Sequence, residues 1–133
     1  MTSRPRFHLA FPVNDLASAR AFYTGILGCA EGRASSDWVD FDFFGHQIVA
    51  HLSPNDAGHK AHNLVDGEEV PVRHFGAILS MREWRRLADR LTEMKVDFLI
   101  EPDIRFEGEP GEQATFFVLD PSGNALEFKA FDD

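Results

Sequence analysis

One unit is written twice in this chain: a short strand with a histidine in its second place runs into an amphipathic helix. The first copy reads FHLAFPVNDLASARAFYTGILG and carries His8, and the second reads RHFGAILSMREWRRLADRLTEMKV and carries His74. The copies begin about half a chain apart. Internal repetition constrains architecture before any single motif does, because each copy is one supersecondary unit that packs against its neighbours. Matching histidines at matching places also point to a site on the pseudo-twofold axis between the copies.

The text around each copy predicts the remaining elements. Asn14 or Asp15 is a suitable N-cap for the first helix, which is expected to stop before Gly28. Its apolar side is Leu16, Ala19, Phe22, Tyr23, Ile26 and Leu27, a helical period. Ser80 and Glu83 form a capping box for the second helix, whose buried stripe is read as Trp84, Leu87, Ala88, Leu91 and Met94. Strand-like runs follow each helix: WVDFDFF and HQIVAHL, hinged at Gly45-His46, then DFLIEP, ATFFVLD and NALEFKAF. The last two are joined by Asp120-Pro121-Ser122-Gly123, with Pro and Gly where a β-turn favours them. Residues 53–70 are polar and read as a linker, and RFEGEPGEQ reads as a loop. The predicted class is α+β: two tandem βαβββ modules forming a curved mixed sheet around a cavity, with helices on the outer face. Module one spans about residues 6–53, the linker 54–70 and module two 71–132, within a single domain over 1–133.

Strand parity then sorts the candidates. Phe7, Leu9 and Phe11 share one face while His8 and Ala10 share the other. Phe75, Ala77 and Leu79 oppose His74, Gly76 and Ile78. Ile48, Ala50 and Leu52 oppose Gln47, Val49 and His51, and Leu126, Phe128 and Ala130 oppose Ala125, Glu127 and Lys129. In all four strands the greasy face is free to meet a helix, and the opposite face carries the polar candidate. Ala10 and Gly76 are small, as though room were needed beside the histidines. Two imidazoles and one carboxylate converging on a cavity match the facial triad of non-haem Fe(II), and Zn, Mn or Ni accepts the same ligands. Taken singly, His8 reads as an ordinary strand histidine, and Glu127 with Lys129 as a solvated face.

Composition narrows the partners. The formal net charge of −9 disfavours nucleic acid and anionic membranes as partners. Thirteen phenylalanines against one tyrosine imply a dry aromatic interior. The lone Cys29 makes no internal disulfide, no apolar run reaches membrane-spanning length, and no secretory h-region opens the chain, so a cytoplasmic protein is the expectation.

The βαβββ repeat, the paired histidines and the closing DPSGNALEF resemble the vicinal oxygen chelate superfamily over about Phe7 to Phe131. That superfamily includes glyoxalases, fosfomycin-resistance proteins, bleomycin-binding proteins and type I extradiol dioxygenases. The resemblance places metal ligands on the first strand of each module and on the final strand, which are His8, His74 and Glu127 here. This His/His/Glu set looks like that of extradiol dioxygenases. By spacing, His51 is read as the pseudo-symmetry mate of Glu127, and the resemblance gives it the acid/base role, for which a near-neutral pKa suits histidine. The tyrosine of the extradiol pattern is absent, since that neighbourhood reads Thr115, Phe116, Phe117.

The resulting expectation is a metal-dependent enzyme acting on a small oxygen-rich substrate, leaning to a ring-cleaving dioxygenase with Fe(II), with a glyoxalase-like lyase or isomerase as the alternative. A non-catalytic drug-binding protein is the alternative of another class. The resemblance also implies a homodimer, with modules paired within one chain or across a swapped dimer. His46, His59 and His62 fall in turn or linker text and are expected to be solvated. Arg105 is read as a partner of Glu107 or Glu109, or of an anionic substrate. Trp38, Phe106 and Phe117 either line a pocket or pack the core.

Overall fold

The computed structural model describes residues 4–58, 61–65 and 68–131, with backbone alone for 61–65, 68 and 69. The chain divides into two units, Met1–Gly58 and His59–Asp133. Unit one contains β1 (His8–Val13), α1 (Leu16–Arg20, continued by a wider turn over Ala21–Ile26), β2 (Ala30–Ala34), β3 (Trp38–Phe43) and β4 (His46–Leu52). Unit two contains β5 (Ala61–Val65), β6 (Glu68–Val72), β7 (His74–Leu79), α2 (Met81–Glu93), β8 (Phe98–Arg105), β9 (Gln113–Leu119) and β10 (Ala125–Phe131).

Each unit builds a four-stranded mixed sheet of the same design, in the order β1-β4-β3-β2 and β7-β10-β9-β8. The histidine strand lies at one edge and pairs parallel with the last strand of its module, and the other pairings are antiparallel. This is the predicted tandem βαβββ arrangement.

Caps start the helices where the sequence predicts. The Asp15 carboxylate accepts from the Ser18 amide at 2.7 Å, and the Ser80 hydroxyl accepts from the Glu83 amide at 3.1 Å. The first helix then widens: Leu27 donates to the Phe22 carbonyl five residues back. The wider turn lets Phe22 and Tyr23 both enter the core. Tyr23 is fully buried, stacked on Phe41 and tilted against Phe11. In unit two, Trp84, Leu87, Ala88 and Leu91 are buried, and the Trp84 indole donates to the Phe128 carbonyl at 2.9 Å. Phe116 and Phe128 complete that core, each such side chain contributing about 1.5–3 kcal/mol of burial.

Four expectations are corrected. Met94 is not in the stripe, because α2 ends at Glu93 and Met94 caps it with 45 % of its surface exposed. The β3–β4 turn is centred on Phe44-Gly45, both at positive φ, with the Gly45 amide held by Asp42 at 2.8 Å. The supposed linker contains the β5–β6 hairpin, and β6 runs on to Val72. Gly76 serves backbone packing rather than an open space: it pairs with Glu127 across β7–β10, and a Cβ there would overlap the Glu127 carbonyl oxygen.

Parity survives in the strand interiors, whereas Phe7 and Leu52 at strand ends are exposed and Ala125 on the polar face is buried. Phe11, Val13, Ile48 and Ala50 are buried on the core side of unit one, as are Leu126, Phe128 and Ala130 in unit two. Val49 is also buried, on the polar face. Asp120 caps its own turn, accepting from the Ser122 and Asn124 amides at 2.9 and 2.8 Å. That turn aims β10 back along β7.

Candidate functional site

The polar face of the second sheet is the wall of a cavity of about 670 Å³ formed by unit two alone. His74, Glu127, Thr115, Phe117, Arg105 and Lys129 are among its lining. β7 and β10 are ladder partners, and the register sets Glu127 two places beyond His74 on the same face. The result is a contact of 3.3 Å between His74 Nε2 and Glu127 Oε1.

Both side chains are held from behind. His74 Nδ1 lies 2.7 Å from the Pro71 carbonyl, which only accepts, so Nδ1 carries a proton. Phe117 sets its ring edge-on against the imidazole, centroids 5.0 Å apart. The Thr115 hydroxyl donates to Glu127 Oε2 at 2.7 Å, leaving Oε1 for His74. Neutral His74 would therefore turn a bare Nε2 lone pair toward a carboxylate oxygen. A cation held between the two atoms would satisfy both. The donor types, the cavity and the fixed tautomer all fit a divalent cation.

In unit one, His8 is exposed, with Nδ1 2.7 Å from Gln47 Oε1. Gln47 in turn donates through Nε2 to Asp40 Oδ2 at 3.1 Å. His51 is on the same face as His8 but four ladder places further along, since β1 pairs His8 with Gln47 and Pro12 with His51. At the rise of a strand that is roughly 13 Å. The register also revises the symmetry argument: Glu127 lies opposite Gly76, and the equivalent pair in unit one is Val49 opposite Ala10. Val49 is thus the mate of Glu127, and His51 corresponds to Lys129. Spacing misassigned this because the loop lengths of the two modules differ at more than one place.

Of the predicted ligands, the structure brings His74 and Glu127 together within unit two, while His8 and His51 belong to unit one. Among the described residues, no three His, Cys, Asp or Glu side chains are gathered within metal-binding range. His46 is more than a solvated side chain, because its Nδ1 accepts from the Phe7 amide at 2.9 Å. His59 and the side chain of His62 lie outside the described residues. Arg105 lines the cavity with its guanidinium over the Phe106 ring, and Glu107 meets Arg85 at 3.8 Å. Phe117 is buried at the cavity wall, whereas Phe106 is half exposed and Trp38 intermediate. Sequence reasoning passed over Pro71, Thr115, Gln47 and Asp40, the groups that orient the rest. The parity of Gln47 beside His8 was the one signal available.

The repeated module, with a histidine heading each edge strand and a glutamate on the last, defines the vicinal oxygen chelate fold. A family profile described as the Glyoxalase/Bleomycin resistance protein/Dioxygenase superfamily matches residues 7–128, and the chain belongs to that superfamily. Among solved structures it is similar to a glyoxalase/bleomycin resistance protein/dioxygenase from Alicyclobacillus acidocaldarius, with 36 % identity and TM-score 0.79 over 97 % of this chain and 92 % of the other. The fosfomycin resistance protein FosX from Listeria monocytogenes shares the fold at 19 % identity and TM-score 0.69, covering 98 % and 94 % of the two chains. Lactoylglutathione lyase from Agrobacterium tumefaciens does so at 16 % identity and TM-score 0.65, covering 98 % and 96 %. A search of curated proteins finds no match.

Proposed function

We propose that the protein is a metal-dependent enzyme acting on a small oxygen-rich substrate, with His74 and Glu127 as two ligands and His8 as the third. His8 comes from the same chain or from a second copy in a homodimer. The observation that carries this reading is the His74–Glu127 pair on the cavity wall, each side chain pinned from behind so that one ligating atom faces the other. A bound divalent cation supplies Lewis-acid polarisation of adjacent substrate oxygens. The chain's own residues do the remainder. Thr115 keeps Glu127 on one oxygen, Pro71 keeps His74 in one tautomer, and Arg105 and Lys129 offer positive charge to an anionic substrate group. His51 is the proposed acid/base residue, acting on a substrate atom remote from the chelated oxygens or through water. Fe(II) with ring-cleaving dioxygenation is the leading reaction, and a lyase or isomerase using Zn, Mn or Ni is the second.

Metal analysis of protein purified without added metal tests the first step, and about one equivalent per chain is expected. Oxygen uptake with catechols, set against isomerisation of a glutathione hemithioacetal, separates the two reactions. Glu127→Gln keeps the shape and the Thr115 partner but removes the charge, and should cut metal affinity by roughly 100-fold with melting unchanged. Metal-free protein that instead takes up apolar drugs would favour the sequestering role.

A further inference from the structure

The polar face of unit one contains a built relay that ends on His8. Asp40 is a buried carboxylate, 7 % exposed, in the middle of β3. Its Oδ1 accepts from the Arg33 amide at 2.8 Å and its Oδ2 from Gln47 Nε2 at 3.1 Å. The neighbouring strand is shaped around it. The β2–β3 ladder shifts register between Glu31 and Ala34, turning the Arg33 amide to the carboxylate. Glycine at position 32 leaves the carboxylate in place, because a Cβ there would displace Asp40 Oδ1.

We infer that Asp40 and Gln47 are positioning residues that hold His8 with its proton on Nδ1 and its Nε2 lone pair free for a cation. An ionised carboxylate only accepts, so the Gln47 amide must present NH₂ to Asp40 and its carbonyl to His8. A carbonyl oxygen also only accepts, so His8 Nδ1 must donate across the 2.7 Å contact. The Pro71 carbonyl imposes the same tautomer on His74. Two unrelated devices, a side-chain relay and a backbone carbonyl, thus engage Nδ1 and turn Nε2 away from the backbone on the two equivalent strands, with Nε2 of His74 facing Glu127. Charge fixed behind a ligating imidazole also raises its basicity toward metal. This inference deepens the cation reading and rests on it only for its purpose, because the tautomer is measurable without metal.

The test is nitrogen-detected NMR of histidine-labelled, metal-free protein at a pH where the rings are neutral, with cobalt(II) titration alongside. Wild-type His8 should show a protonated Nδ1 and a bare Nε2. In Asp40→Asn the side chain offers NH₂ instead, Gln47 flips to accept it, and the tautomer of His8 inverts. Cobalt affinity then falls roughly 10- to 100-fold. In the double variant Asp40→Asn/Gln47→Glu the bond between positions 40 and 47 runs the other way at unchanged net charge, but the carboxylate at 47 can only accept from His8 Nδ1, so both tautomer and affinity should be restored. A purely structural role for Asp40 predicts no such recovery. A protonated Nε2 in the wild type, or an unchanged tautomer in folded Asp40→Asn, overturns the inference. Wild-type protein that shows the tautomer pattern yet binds no cobalt would support the relay and sink the cation reading.

Discussion

Cys29 follows the wide turn of α1 with its thiol buried. Desolvation, with a smaller contribution from the Asp42 charge, pushes it from its ordinary 9.0 to about 11. The folded state therefore keeps a proton that the unfolded chain gives up near 9. This stabilises the fold fully below that pH and is lost as pH rises toward 11. At pH 8 the folded thiol should react with iodoacetamide about 100-fold more slowly than the denatured thiol; equal rates would mean that the thiol is not sheltered. The same scale explains what was readable in advance about the site. The proposed ligands His8, His74 and Glu127 are picked out by residue type, strand parity and the family resemblance together. Their orienting partners are not, because a proline carbonyl, a threonine hydroxyl and a glutamine amide are common everywhere and acquire a role only through register.

At the scale of elements, amphipathic text was legible and polar text was not. Both helices and the strands β1, β3, β4 and β7 to β10 follow their hydrophobic periods. β2, reading AEGRA, is exposed along its length, and β5 and β6 lie in polar text; none offers an alternating apolar row, so their pairing is decided by neighbours. The end of α2 illustrates the limit of periodicity, since Leu91 is fully buried and Met94, three residues on, is not. Leu91→Ala should cost about 2–5 kcal/mol and Met94→Ala under about 0.5, measured by urea unfolding. The β7–β10 ladder gives a second prediction. Gly76→Ala forces a methyl into the Glu127 backbone, so it should destabilise by about 2–3 kcal/mol and displace the Glu127 carboxylate. A variant as stable as the wild type, with its His74–Glu127 pair intact, would refute that close approach.

For the whole molecule, the repeat read from two histidines is realised as two sheets with one strand order. The cavity described lies in the unit containing His74 and Glu127, and the proposed third ligand belongs to the other unit. If the assembly is the dimer we propose, sedimentation should give twice the chain mass of 15.0 kDa, and a 15.0 kDa particle would contradict it. Alternation along the strands has a further reach. Leu126, Phe128 and Ala130 keep the second module folded, while Glu127 and Lys129, interleaved with them, face the void. The two rows can drift independently: substitutions at Arg105 or Lys129 would change the cavity lining without disturbing the packed layer behind them. A scaffold wired this way is open to new chemistry at low risk of unfolding.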